Sequence, residues 1–246
     1  MRATARAEER HFWFRGFRWF VRPLVEQALT GRTGARILDC GCGTGANLAL
    51  LAPHGIACGF DLSAVGLEIA RRRGRGGLVR ASAAAIPFVD GHFDLLTSFD
   101  VLYALDTGDE REAAAEMFRV LRPGAHVIVN VAAMDVLRGD HSILSHELRR
   151  YSRESLTRLL TSAGFDIVRI SYTNATLFLP MLAIRWLHRA RGLSAERDAT
   201  AEIAVPSAPV NAALSALLFV ESLWLKVGGV SPFGSSLLCL ARKPSA

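Results

Sequence analysis

The sequence predicts an α/β fold, a mostly parallel sheet covered by helices on both faces. Three observations lead there. Short apolar runs alternate with amphipathic runs of helical length. A glycine loop, GCGTG, follows the first apolar run directly, and Asp61 ends the second one about 20 residues further on, the spacing of a nucleotide-binding βαβ unit. Such sheets bind ligands at the carboxyl ends of their strands, so functional residues are expected just after each strand.

Taken in order, residues 2 to 29 read as a helix crowded with Phe12, Trp13, Phe14, Phe17, Trp19 and Phe20, which GRTG breaks. ARILDC is a first strand, and ANLALLAPHG a helix running out at Pro53 and Gly55. ACGFD is a second strand, SAVGLEIARRR a second helix, GLVRA a third strand and HFDLLTSF a fourth. TGDEREAAAEMFRVLRPG reads as a helix opened by a Thr107–Glu110 capping box and stopped at Pro123 and Gly124, before a fifth strand, HVIVNVA. A polar stretch, MDVLRGDHSILSHELRRY, precedes the helix SRESLTRLLTSAGF and a sixth strand, DIVRISY. SSLLCLARK is the last strand. Residues 173 to 235 are too long for a loop and hold two apolar helical runs, near 175 to 190 and 210 to 227.

Composition narrows the class. With 246 residues, 50% hydrophobic and 21% charged, the chain is expected to fold as a single domain of residues 1 to 246. The formal charge of +6 comes almost wholly from arginines, which are scattered apart from Arg71, Arg72, Arg73 and Arg75. That cluster reads as a solvated helix end, so a nucleic-acid partner is not expected. Cys40, Cys42, Cys58 and Cys239 lack CxxC spacing and read as buried thiols in a reducing compartment; no metal site is expected. The N-terminus is broken by charges, and ATLFLPMLAI and AALSALLFV are shorter than the roughly 20 residues a spanning helix needs. A cytoplasmic protein without a transmembrane segment is expected. The apolar segment 173 to 235 must bury its faces against the core, a second subunit of a homodimer, a membrane surface or an apolar substrate.

The loop fits both GxGxxG/A, through Gly41, Gly43 and Ala46, and GxGxG, through Gly41, Gly43 and Gly45. Asp61 suits a ribose in either case. Asp39 separates the two, because a carboxylate at the loop's entrance repels a pyrophosphate and attracts a cation. S-adenosylmethionine, which carries a sulfonium and an ammonium and no phosphate, meets that requirement.

With ILDCGCGTGANL, GFDLS, ASAAAIPFVDGHFDLLTSFDVLYAL and FRVLRPGAHVIVNV in place, residues 35 to 172 resemble the class I S-adenosylmethionine-dependent methyltransferases of the small-molecule, type 11/12-like kind. The resemblance implies a Rossmann-like seven-stranded sheet whose antiparallel last strand is residues 236 to 243, an N-terminal helical lid over residues 1 to 30, and a helical insertion over residues 173 to 235. It implies that Asp39, Gly41, Cys42, Gly43 and Gly45 line the methionine and ribose. Asp61 would take the ribose hydroxyls, Leu62 the adenine face, and Ser82 and Ala83 its edge, with Phe99 near the sulfonium. Two departures stand out: Ser82 where many relatives carry aspartate, and Tyr103 and Ala104 where many carry a Glu-His pair.

Methyl transfer needs alignment, and a base only where the nucleophile must lose a proton. His146 or His141 could be that base, and Tyr103 or Tyr151 could orient the acceptor. HELRRYSRESL, the aromatic N-terminal helix and the ending SPFGSSLLCLARK together resemble one broad methyltransferase subgroup; Arg149, Arg150 and Tyr151 are read first as a structural anchor for this segment, with a substrate-side place for Arg150 and Tyr151 as the alternative. Trp13, Phe14 and Arg15 are read either as a lid that excludes water or as an amphipathic packing face. The expected activity is methyl transfer to a small, apolar acceptor, as in secondary metabolism. The rivals are a cyclase or isomerase that keeps the cofactor, an RNA methyltransferase, and a binding subunit without turnover.

Overall fold

The structure, a computed structural model, describes residues 2–137, 147–190 and 205–245. Strands β1 (Ala35–Cys40), β2 (Gly55–Asp61), β3 (Leu78–Arg80), β4 (Phe93–Phe99), β5 (Leu121–Ala132), β6 (Asp166–Thr173) and β7 (Ser236–Arg242) form one sheet. Its order is β3-β2-β1-β4-β5-β7-β6. β7 runs antiparallel to β5 and β6, whereas β1 to β5 pair in parallel. The expected α/β class and antiparallel last strand are both present. Every residue of β4 is buried, as a strand covered on both faces requires.

Alternate side chains feed two cores. Ile37, Leu95 and Ile128 point to one face, where they meet Phe20, Val21, Leu24 and Val25 of helix α2 (Phe12–Ala28) and Leu50 and Leu51 of α3 (Ala46–Leu51). Leu38, Leu96 and Val127 point to the other, against Ala113 and Met117 of α5 (Thr107–Val120) and Leu156 and Leu160 of α6 (Arg153–Ser162). The remaining helix of this half, α4 (Ala64–Arg72), packs Leu67 against Cys42 and Leu48.

Between β6 and β7 lie α7 (Ala175–Ala190) and α8 (Ala208–Lys226). α8 lays Leu218 and Leu225 into the α2 face of the core, each such burial worth about 2 kcal/mol. Glu221, buried on the same stripe, accepts hydrogen bonds from the backbone amides of Ala175 (3.0 Å) and Thr176 (3.1 Å), and so caps α7 from a distant helix. Asn211 ties the start of α8 to α2 by accepting from the Phe12 amide at 2.8 Å.

Several local readings change. The N-terminal helix is two helices, α1 (Arg2–Ala7) and α2, because Glu8 turns inward and the His11 side chain caps α2 by accepting from the Trp13 amide. The cap of α5 is Asp106, whose Oδ1 accepts from Gly108 and Asp109, rather than Thr107; Glu110 instead pairs with Arg149. α5 ends at Val120, just before Pro123 and Gly124, but the chain passes straight into a strand there. Both residues sit within β5, where the register shifts between Phe93 and Leu95 and Gly124 takes the left-handed conformation at φ 73°. α8 runs to 19 residues and is long and apolar enough to cross a membrane by length and composition, where the sequence reading stopped short. Of its polar residues, Ser215, Glu221 and Ser222 lie on the buried stripe, whereas Lys226 at its end is exposed.

Candidate active site

The strand order reverses between β1 and β4, and the glycine loop opens at that point. In register, Asp39 of β1 lies between Gly59 of β2 and Thr97 of β4. Thr97 Oγ1 donates to Asp39 Oδ1 at 2.7 Å, and Asp39 is fully buried. Its second oxygen, Oδ2, is enclosed and has no hydrogen-bond partner among the described residues. Burial pushes the Asp39 carboxyl up to about 7, with the Thr97 hydrogen bond opposing and the Asp61 charge adding to the rise.

The loop from Gly41 to Gly45 is built to stay bare. Gly41, Gly43 and Gly45 have φ of 74°, 49° and 75°, a region that side chains rarely adopt. A Cβ on Gly41 would also overlap Val101, and one on Gly45 would lie 2.8 Å from Arg75 Cγ. Asp61 holds the loop from the next strand end: Oδ2 accepts from the Gly43 amide at 2.8 Å and Oδ1 from the Ser63 amide at 2.7 Å. Asp39, the three glycines and Asp61 are therefore assembled in one place. The Cys42 thiol points away into a small core, close enough to Gly59 that a Cβ there would lie 2.9 Å from its Sγ, so only the Cys42 backbone belongs to the loop's surface.

Beyond the loop, Leu62 is exposed, Ala83 is buried, and Ser82 Oγ accepts from the Ala84 amide. Phe99 packs edge-on against Phe17 of α2 at 4.9 Å, which joins the aromatic helix to the end of β4. Of the proposed lid residues, Trp13 and Phe14 are half-buried near His11, and Arg15 is exposed with its guanidinium over Trp19 at 5.5 Å. The N-terminal segment is fastened to the glycine loop through Glu8, which periodicity could not reveal. Glu8 accepts from Thr44 Oγ1 at 2.5 Å and from Arg73 Nη1 at 2.7 Å, and Arg73 also donates to the Ala5 carbonyl. Arg71 and Arg72 are solvated as expected; Arg73 and Arg75 are not, because both back the glycine loop.

At the end of β4, Asp100 adopts φ 60°, rare for a residue with a side chain. Asn130 Nδ2 donates to its carboxylate at 3.0 Å, and the Asp100 amide donates to the Asn130 carbonyl. Asp100 is not among the residues expected from the sequence, although it stands directly after a strand as Asp61 ends one. Burial, reinforced by the charges of Asp100 and Glu147, keeps the Tyr103 hydroxyl protonated far above neutral pH. Arg150 pairs with the buried Glu147 and donates to the Ala133 carbonyl. Tyr151 bonds by its backbone to Ala132 and Met134, with its hydroxyl unpartnered among the described residues. These contacts anchor the segment to the end of β5. His141 and His146 lie outside the described residues. A cleft between α2, α8 and β6, lined by Phe20, Leu24, Arg169, Ser171 and Ser222, shares no residue with the loop site.

A seven-stranded sheet with an antiparallel last strand, and a phosphate-repelling carboxylate at its switch point, define a Rossmann-like methyltransferase. The family described as a methyltransferase domain matches residues 38–129. A presumed methyltransferase of Encephalitozoon cuniculi is 32% identical over 165 residues, covering 58% of this chain and 75% of that protein. The O-methyltransferase rstn1 of Aspergillus nomiae is 29% identical over 162 residues, covering 60% and 71%. Among solved structures, the [4+2]-cyclase SpnF superposes with a TM-score of 0.59 at 23% identity, over 92% of this chain and 80% of that one. The chain belongs to the class I S-adenosylmethionine-dependent methyltransferases.

Proposed function

We propose that the protein transfers a methyl group from S-adenosylmethionine to a small, largely apolar acceptor, as in secondary metabolism. Asp39 Oδ2 carries the methyl-donor half of this reading. An enclosed carboxylate oxygen without a partner costs about 1–3 kcal/mol, which a ligand ammonium, directly or through water, offsets. The bare loop leaves room for the methionine and ribose, Asp61 accepts from the ribose hydroxyls, and Leu62, Ser82 and Ala83 border the adenine. Bound there, S-adenosylmethionine supplies a methyl group on a cationic sulfur, a good leaving group.

The chain's own task is to align the acceptor, exclude water and handle any proton. Tyr103, held protonated, offers a hydroxyl that orients the acceptor. Asp100, fixed by Asn130, offers a carboxylate beside it, and His141 and His146 remain candidate bases. Half-buried Trp13 and Phe14 favour an apolar acceptor. The four free cysteines fit a reducing, cytoplasmic setting.

Calorimetry with S-adenosylmethionine and with its demethylated product tests the methyl-donor half: both are expected to bind, and no heat at millimolar concentration rules it out. Asp61→Ala is expected to weaken that binding by about 1–3 kcal/mol, and an unchanged affinity removes the ribose assignment. A one-methyl mass gain in a single component of a host extract would identify the acceptor.

A further inference from the structure

We propose that the face formed by α2 and α8 docks on an anionic phospholipid surface. α8 and its capping residue Val227 turn a continuous apolar stripe outward: Leu217, Val220, Leu223, Trp224 and Val227 recur at helical spacing, and Val220, Trp224 and Val227 are 63%, 57% and 80% exposed. Phe219 joins the stripe to α2 through an edge-on contact with Trp19 at 5.3 Å. Isolated apolar residues at a surface are ordinary, but a stripe along a 19-residue helix is a contact surface.

Charge decides what covers it. The sole acidic residue of α8, Glu221, is buried under the helix, so the outward face carries none. Its border is cationic. Arg15 and Arg22 of α2 and Lys226 at the end of α8 are exposed, and among the described residues neither Arg22 nor Lys226 pairs with a carboxylate. The single acid of α2, Glu26, lies a turn beyond Arg22. Leucine and valine at the centre, tryptophan beside them and arginine or lysine at the rim is the composition of a helix lying in a headgroup layer. A second copy fits less well, because a two-fold contact would bring both cationic rims together on a chain of formal charge +6. Crossing the bilayer fits less well too, since withdrawing α8 would expose the α2 core and uncap α7 at Glu221.

This docking does not depend on the proposed reaction, and vesicle flotation of the full chain reads it directly. Vesicles of phosphatidylcholine with phosphatidylglycerol are expected to carry the protein, vesicles of phosphatidylcholine alone far less, and added salt to release it. Val220→Asp with Trp224→Asp is expected to abolish flotation with an unchanged circular dichroism spectrum. Arg22→Gln and Lys226→Gln should each lower partition about fivefold. As a measurement free of substitutions, brominated lipid should quench wild-type tryptophan fluorescence. No flotation on anionic vesicles, or flotation indifferent to the aspartate pair, overturns the proposal. So does a dimer in analytical ultracentrifugation that the aspartate pair dissociates in a chain that ignores vesicles.

Discussion

Asp39 is expensive to bury, and its protonation links stability to ligand affinity. Its carboxyl is held near 7, above the ordinary carboxylate value, mainly by burial. The native state therefore holds a proton there that the unfolded chain has already released. That stabilising share is complete below the ordinary aspartate range and is lost as pH rises to about 7. Asp39→Asn is expected to gain stability relative to the parent as pH climbs through this window, measured by urea denaturation at several pH values. Affinity for the cationic methyl donor should run the other way in the parent, rising about fivefold from about pH 6 to about pH 7, and should not do so in Asp39→Asn. Calorimetry across that range checks it.

At the scale of elements, the contact between α2 and α8 is set by a glycine. Gly16 is buried in α2, and a Cβ there would overlap Leu218 of α8. At this crossing Leu218 fits against α2 only because Gly16 lacks a side chain. Gly16→Val is expected to destabilise the protein by about 1–3 kcal/mol through overpacking, and Leu218→Ala in the same chain should recover part of that loss. Chemical denaturation of the two single variants and the double variant measures the coupling; simple additivity would mean that the helices do not meet there. Because α2 also contacts Phe99 at the end of β4, loosening this pair should reach the candidate site.

Across the whole molecule, Asp94 clamps the amino-terminal end of the central strand β4, the end of the sheet remote from the glycine loop. It accepts from Arg32 (2.7 Å), from Arg122 (2.8 Å) and from the Arg36 amide (2.9 Å), drawing together the α2–β1 link, β4 and the start of β5. Burial alone would raise its carboxyl, but the Arg36 amide and the two guanidiniums outweigh burial and lower it. Its contribution is therefore present above the ordinary aspartate value and lost as pH falls through the lowered one. Asp94→Asn is expected to reduce stability at neutral pH and to converge with the parent in acid, as thermal melts over a pH series would show.

Whatever rests on local pattern was legible in the amino-acid sequence. Apolar runs alternating with amphipathic ones specify strands and helices, and ILDCGCGTGANL followed by GFDLS specifies a bare loop between two carboxylates, because spacing and backbone freedom are encoded within a few residues. Tertiary structure alone decided what depends on partners far apart in the chain. Glu8 leaves the helical pattern because its acceptors meet Thr44, 36 residues on, and Arg73, 65 residues on. Asp100 takes a left-handed turn because Asn130, 30 residues on, holds both its backbone and its carboxylate. α8 stays docked because Ser215, Glu221 and Ser222 share the buried side with Leu218 and Leu225. Periodicity specifies which face of an element is apolar, and packing decides what that face meets.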